Sequence, residues 1–238
     1  MIRQVKSIAF LSMISFVVVA SSCSETEDPG PLQEDKKTYT IVDFDRLEMG
    51  SEFHIQVEQS NSYSVTVEGD RRNLNDIDLY KEGSTLIVKY DNNEDRKHDT
   101  YITIRMPSLV SAHFSGASSS VIDGFESDEH VDLFLSGASI LQMDAGYREV
   151  NFNLSGASHL RLYGLGDEIN GELTGASKLT AFEYPVRKAD IGASGASIAK
   201  ITVTDELDVV ASGGSDVSYR GNPVITKDVS GGSNVEQD

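Results

Sequence analysis

The sequence has little cysteine, no long apolar run and few basic residues, and each shortage narrows what the protein can be. Cys23 is the only cysteine among 238 residues, so packing and hydrogen bonds, not a disulfide, must hold the fold. The longest apolar run, Ile8 to Ala20, covers about 13 residues, whereas a membrane-spanning helix needs about 20. The run therefore predicts a secretory signal peptide over residues 1–22 and excludes a transmembrane reading of it.

Basic residues are outnumbered by acidic ones. Lysine and arginine total 20 against 38 aspartates and glutamates, which gives a net charge of -18. Such a chain repels nucleic acid and anionic membrane surfaces, so neither is an expected partner. The acidity fits a soluble surface domain and is compatible with contact to divalent cations.

Common catalytic and cofactor motifs are also missing. There is no Gly-x-Ser-x-Gly elbow, phosphate-binding loop or dinucleotide fingerprint. The histidines show no repeated ligand spacing, and exposed polar side chains are the simpler interpretation for His54, His98, His113, His130 and His159. No stretch of ten or more residues has a convincing helical stripe, although Asn73 to Tyr80 comes nearest. We expect no enzymatic activity, no catalytic residue, no cofactor and no metal.

The start of the chain is typical of an exported lipoprotein. Ala20-Ser21-Ser22-Cys23 resembles the lipobox of bacterial lipoproteins, in which cleavage leaves a lipidated cysteine, here Cys23, as the only membrane contact. The alternative is a secreted protein with a stray cysteine. Residues 23–37 predict a disordered tether. Their acidic stretch, Ser24 to Asp28, resembles the surface-export signal of some Gram-negative lipoproteins, the alternative being a solvated linker.

Short strands are predicted over residues 38–107. Alternating apolar residues and turn signals place them at Thr38 to Val42, Glu52 to Gln59, Ser62 to Glu68, Thr85 to Tyr90 and Tyr101 to Met106. This region is expected to form either the first part of the repeat architecture described next or a separate cap on it.

The second half, residues 108–238, repeats one four-residue phrase seven times. The phrase is Ser-Gly-Ala-Ser or a close variant, and its glycines stand at positions 116, 137, 156, 175, 195, 213 and 231. The spacing of 18 to 21 residues is too regular for chance. Residues two and six before each glycine, and four and six after it, are mostly apolar. All these offsets are even, so one face of an extended chain is buried on both sides of the phrase.

A repeat of this kind predicts a solenoid. One coil of about 20 residues cannot bury its own apolar face, whereas stacked coils make a continuous core. The expected fold is all-β: a right-handed parallel β-helix with coils of about 18–21 residues. A propeller blade would need about 40 residues, and antiparallel hairpins would not repeat the same offsets.

Three roles for the phrase compete. Seven equivalent serines without a paired base argue against one activated nucleophile. The likeness of "SGGSDVS" to calcium-binding repeats is slight, because the carboxylates do not recur. We favour an architectural role, in which glycine permits a sharp turn or a close backbone approach and stacked serines form a hydrogen-bonded ladder.

A column of small polar residues precedes the phrase by five positions and faces outward. It is the candidate ligand-binding site, for a sugar or for calcium, and the alternative is a solvated strand face with stacked amides. Its members are Asp132, Asn151, Asn170, Asp190 and Asp208, flanked by Ser111 and Thr226.

The last coil is more polar than the others. Lys227 and Gln237 occupy columns that are mostly apolar elsewhere. A polar final coil closes a solenoid and discourages strand-to-strand polymerisation. The expected state is a monomer.

Four features of the chain carry a resemblance to a known family: the lipoprotein leader, the stretch "VDFDRLEMGSEFHIQVEQSNSYSVTVEGD", the link "YITIRMPSLVSAHFSGAS" and the repeated phrases. Through them the chain resembles the family described as putative auto-transporter adhesin, head GIN domain. The resemblance covers Tyr39 to Val235. It implies a right-handed β-helix exported by Gram-negative bacteria, often as a lipoprotein, and supplies no catalytic residue.

These observations predict a lipid-anchored outer-membrane protein, exposed at the cell surface, that acts as an adhesin or glycan-binding module. Its expected partner is a polysaccharide or a host or cell-surface ligand. Two alternatives stay open: a polysaccharide-degrading β-helix enzyme, which needs acids clustered beside a basic residue, and a structural envelope scaffold that assembles end to end.

Overall fold

The computed structural model describes residues 30–92 and 94–238. The predicted signal peptide, Cys23 and most of the predicted tether lie outside these residues. Within these two ranges, seventeen strands and one short helix follow each other: β1 Glu34–Tyr39, β2 Arg46–Met49, β3 His54–Gln59, β4 Ser64–Asp70, α1 Arg71–Asn75, β5 Ile77–Glu82, β6 Thr85–Tyr90, β7 Thr100–Met106, β8 Ser111–Phe114, β9 Ser119–Leu135, β10 Ile140–Leu154, β11 His159–Leu165, β12 Glu168–Leu173, β13 Lys178–Ala193, β14 Ile198–Ala211, β15 Asp216–Arg220, β16 Val224–Val229 and β17 Asn234–Gln237.

The coils stack in parallel, as the repeat predicts, and the parallel β-helix is confirmed. Strands that lead into the phrase form one row, which we call the entry sheet: β6, β2, β8, the ends of β9 and β10, β12, the ends of β13 and β14, and β16. Strands that leave the phrase form the exit sheet: β7, β3, the starts of β9 and β10, β11, the starts of β13 and β14, β15 and β17.

The core runs the length of the solenoid between the two sheets. Register places equivalent residues of successive coils side by side, as with Leu141, Leu160 and Leu179, all 0% exposed. The predicted even-offset columns are therefore the core, and like side chains stack on like. The columns are less well buried near the C-terminal end, where Val229 is 40% exposed although Val235 is 7% exposed.

The phrase glycines hold the sharp turn between the two sheets. All seven have positive φ, between 61° and 80°, a region that other residues rarely adopt. A Cβ atom on Gly156 would lie 2.4 Å from the Gly137 carbonyl oxygen of the preceding coil. Both predicted reasons for glycine, the turn and the close approach, thus apply at once.

The serines correct one expectation. The last serine of each of the first six phrases is buried, but in five of these its hydroxyl donates within its own coil, as from Ser158 Oγ to the Ser155 carbonyl at 2.7 Å. Only Ser118, among the described serines, donates to the next one, Ser139, at 3.3 Å. The contact between coils is made by the backbone instead, as from Ala157 N–H to the Gly137 carbonyl at 2.7 Å. A serine ladder is therefore not what joins the coils.

The region 38–107 both continues the solenoid and closes it. Strands β2 and β3 pair in parallel with β8 and β9 and form a coil with Gly50-Ser51-Glu52-Phe53 in place of the phrase. Strands β6 and β7 add a further coil. Antiparallel strands then flank both sheets: β5 beside β6, and β4 followed by β1 beside β7.

Folded structure begins earlier than the sequence predicts. Strand β1 starts at Glu34, inside the stretch 23–37 assigned to a disordered tether. The charged residues of β1 are compatible with a strand because they lie on an edge: Lys36 pairs with Glu68, and Lys37 Nζ donates to the Leu74 carbonyl at 2.7 Å. The near-helical stretch Asn73 to Tyr80 is divided: its first three residues belong to helix α1, and its last four begin strand β5.

Asp70 links the residues before β1 to the start of helix α1. It caps α1, is 1% exposed, and accepts hydrogen bonds from Arg72 and from Gln33 N–H at 3.0 Å. These bonds, the Arg72 bonds foremost, hold the pKa of the Asp70 carboxyl well below its usual range. No helix among the described residues is long and apolar enough to cross a membrane.

Candidate functional site

The polar column is assembled as predicted, on the outer face of the entry sheet. Parallel register sets Asp132 beside Asn151, Asn151 beside Asn170, Asn170 beside Asp190, and Asp190 beside Asp208. Successive members are one strand apart, about 4.8 Å. The column thus presents five amide or carboxylate groups in one line along the solenoid axis.

Internal bonds use only part of this line. Asn151 Nδ2 donates to Asp132 Oδ1 at 3.2 Å, and Asn170 Nδ2 donates to Glu168 at 3.1 Å. Asp190 and Asp208 have no hydrogen bond or ion pair to another described side chain. Amide stacking therefore accounts for the first members, while the last two carboxylates are available to a ligand.

A shallow depression of about 320 Å³ lies beside the column. It exists because Gly192 has no side chain in an outward column that otherwise carries Phe134, Glu172 and Val210. Phe134 is 44% and Val210 58% exposed. Sequence reasoning missed this feature, although a glycine between outward-facing residues on a strand is a signal that could have found it.

Polar groups beside exposed apolar side chains form a surface suited to sugars. Hydroxyl groups can bond to the Asn170 amide and the Asp190 carboxylate, which both line the depression. The apolar face of a sugar ring can lie against Val210, which lines the depression, whereas Phe134 lies three strands away from Gly192 in the same outward column. The site is open and lies on rigid strands, so it needs no large rearrangement to bind.

Acids also cluster around one basic residue. Lys188 lies between Glu168 and Glu206 in register, and its Nζ is 2.9 Å from Glu206 Oε2. This is the arrangement that the polysaccharide-degrading alternative requires. However, the hydrogen bond to Glu206 raises the pKa of Lys188, whereas a lysine acting as a base needs a lowered one. The geometry is that of an ion pair.

Metal chemistry finds no support in the described part of the chain. No three histidines, cysteines, aspartates or glutamates come close enough there to hold an ion. The histidines are spread over both sheets, and His159 lies on the exit sheet. Burial, assisted by Arg161 and Lys178, lowers its pKa to about 4, so it is neutral at physiological pH.

Fold and site together define a class: a β-solenoid that carries its polar groups on open sheet faces. The family model described as "Putative auto-transporter adhesin, head GIN domain" matches residues 43–223. The chain belongs to this family, as the sequence resemblance predicted.

Solved structures share the fold over nearly their whole length. A putative adhesin from Bacteroides fragilis NCTC 9343 has a TM-score of 0.77 at 18% identity, covering 87% of this chain and 97% of that one. A putative adhesin from Parabacteroides merdae ATCC 43184 has a TM-score of 0.69 at 18% identity, covering 87% and 96%. A putative lipid binding protein from Parabacteroides distasonis ATCC 8503 has a TM-score of 0.71 at 17% identity, covering 86% and 96%. Comparison with curated proteins gives no match.

Proposed function

We propose that the protein is a non-enzymatic adhesin that binds glycans on the outer face of the entry sheet. The observation that carries the proposal is the in-register column of Asp132, Asn151, Asn170, Asp190 and Asp208 beside the Gly192 depression. Membership of a family described as adhesins supports it. Neutral glycans suit this face, because its acids would repel anionic ones.

Binding is tested with full-length protein on a glycan array, followed by titration of any glycan that binds. The double variant Asn170→Ala/Asp190→Ala should weaken binding about tenfold or more, since each 1.4 kcal/mol of lost hydrogen bonding is a tenfold change. Asp216→Ala/Asn234→Ala is the matched control. It removes a neighbouring Asp and Asn pair from the exit sheet and should leave binding intact. Array signals that are absent at high micromolar concentration would refute the proposal.

The enzyme alternative needs its own measurement. Incubation with the bound glycan should release no new reducing ends or unsaturated products, because Lys188 is held protonated by Glu206. Product formation that Lys188→Gln abolishes would instead make the protein a polysaccharide-degrading enzyme.

The family also supports an exported, surface-associated location. We propose further that Cys23 is lipidated and anchors the protein in the outer membrane, facing outward. Cys23→Ala should move the protein from the membrane fraction to the soluble fraction. Protease added to intact cells should remove the wild-type protein, and resistance until the cells are opened would place it in the periplasm.

A further inference from the structure

Three cations on the exit sheet lack a polar partner. Arg161 on β11, Lys178 on β13 and Lys200 on β14 make no hydrogen bond or ion pair with any residue of the described ranges 30–92 and 94–238. Several other described cations are paired with acids, as Arg105 is with Glu58 at 2.8 Å and Arg187 with Asp205 at 3.0 Å. We call Arg161, Lys178 and Lys200 the basic triad.

The basic triad occupies three consecutive coils of one outer face. Register sets Arg161 beside Thr180 and Thr180 beside Lys200, while Lys178 lies beside His159 and Ile198. Arg161 and Lys200 are therefore two strands apart, about 10 Å, with Lys178 to one side between them. Lys178 is a diagonal neighbour of both Arg161 and Lys200, and like charges at that spacing repel each other weakly. The three positive charges therefore share one patch of this face.

No described residue next to the basic triad neutralises its charge through an ion pair. His159 is bonded through Nε2 to Thr180 Oγ1 at 3.0 Å and stays neutral beside the basic triad. Acids on the surrounding strands, Asp144, Glu183 and Asp216, make no ion pair with any of the three cations in the described structure.

Aromatic side chains border the basic triad. Tyr163 and Phe182 lie two and four residues further along their strands from Arg161 and Lys178. Lys200 Nζ is 5.8 Å and the Arg220 guanidinium 3.8 Å from the centre of the Phe182 ring. Arg220 is paired with Asp238 at 2.7 Å. The face therefore offers a positive centre, hydroxyl groups and two rings within a few residues.

We propose that the basic triad binds the acidic group of a charged glycan, a carboxylate or a sulfate, with the sugar ring against Tyr163. Charge-assisted hydrogen bonds from guanidinium and ammonium groups are the strong ones for such anions. The net charge of -18 disfavours densely charged polymers, but screening over about 8 Å lets isolated acidic groups approach. The site is on a different sheet from the polar column, so a negative result at one site does not refute the proposal for the other.

The test is calorimetric titration of full-length protein with three probes: a galacturonic acid oligosaccharide, a heparin oligosaccharide and a neutral dextran oligosaccharide. At least one acidic probe should bind saturably, more weakly as salt rises, and the dextran should not bind here. Arg161→Gln, Lys178→Gln and Lys200→Gln should each weaken binding about tenfold. Arg105→Gln is the matched control, because it removes an equal charge from the same sheet at a paired arginine.

Thermal unfolding of the same variants adds a second readout. Lys178→Gln should unfold at the same temperature as the wild type or higher, because it relieves repulsion, while losing affinity. Acidic probes that do not bind, or whose affinity is unchanged in all three variants of the basic triad, would overturn the proposal, as would equal loss of affinity in Arg105→Gln. Binding to phosphatidylglycerol vesicles without binding to either acidic oligosaccharide would also overturn it, in favour of a lipid surface.

Discussion

At the scale of the residue, the glycine and the alanine in the middle of the phrase differ in how strictly the backbone geometry requires them. Gly156 has φ 74° and no room for a Cβ atom, whereas the next residue, Ala157, is exposed and is replaced by glycine in the last two phrases. The glycine is fixed by geometry and the alanine is not.

Gly156→Ala should therefore destabilise the fold by at least about 2 kcal/mol, from backbone strain and the clash with the Gly137 carbonyl. Ala157→Gly, one residue away, should cost less than about 1 kcal/mol. Thermal unfolding of the pair checks this, and equal midpoints for the two variants would refute the role given to Gly156.

The buried carboxyl of Asp70 predicts a pH dependence of stability. Its folded pKa is lowered, so it stabilises the protein above the unfolded pKa of about 3.9, and that contribution is lost as the pH falls below it. Asp70→Asn should cost about 1.5–3 kcal/mol at pH 7, and the gap to the wild type should narrow towards pH 2.5. Urea unfolding measures this, with exposed Asp91→Asn as control. A gap that is constant with pH would contradict the assignment.

At the scale of the element, period-2 alternation was enough to predict the coils, because burial on one face of a strand leaves a direct pattern in sequence. It was not enough for the coil built by β2 and β3. There Phe53 occupies the place of the last serine, and Ser51 and Glu52 adopt the left-handed turn, φ 58° and 61°, without glycine there. The polar column was predictable for the same reason as the coils. The depression was not, because it depends on a missing side chain. For the basic triad, the repeat places Arg161 and Lys200 in one outward column, but their lack of acidic partners depends on the three-dimensional structure.

The last described strand of the entry sheet, β16, carries a lysine that we expect to keep the protein monomeric. Lys227 lies beside Val209 in a column that is otherwise apolar, on a strand whose outer edge pairs with no other strand of the described residues. Lys227→Ile should extend the apolar column to the open end and promote self-association. Sedimentation over a range of concentrations checks this, with outward-facing Thr226→Ile as control. A wild type that already assembles end to end would instead support the scaffold alternative.

At the scale of the whole molecule, the repeat builds a rigid rod and the outer faces are free to differ. The entry sheet carries an acidic polar column, and the exit sheet carries the basic triad, so the two faces suit different ligands. Neither face includes the repeated serine phrase, because the phrase forms the turns between the two sheets. We infer that ligand choice can change without loss of fold, since outward residues hardly contribute to the core.

The most direct test of this account is the binding isotherm of Gly192→Leu, measured together with its thermal unfolding. Gly192 has an ordinary strand conformation, and a Cβ atom there would first meet the movable Glu172 carboxylate. We predict an unchanged unfolding temperature and loss of glycan binding, because leucine fills the depression beside Asn170 and Asp190. Binding equal to that of the wild type would contradict the claim that this face of the solenoid is the functional site.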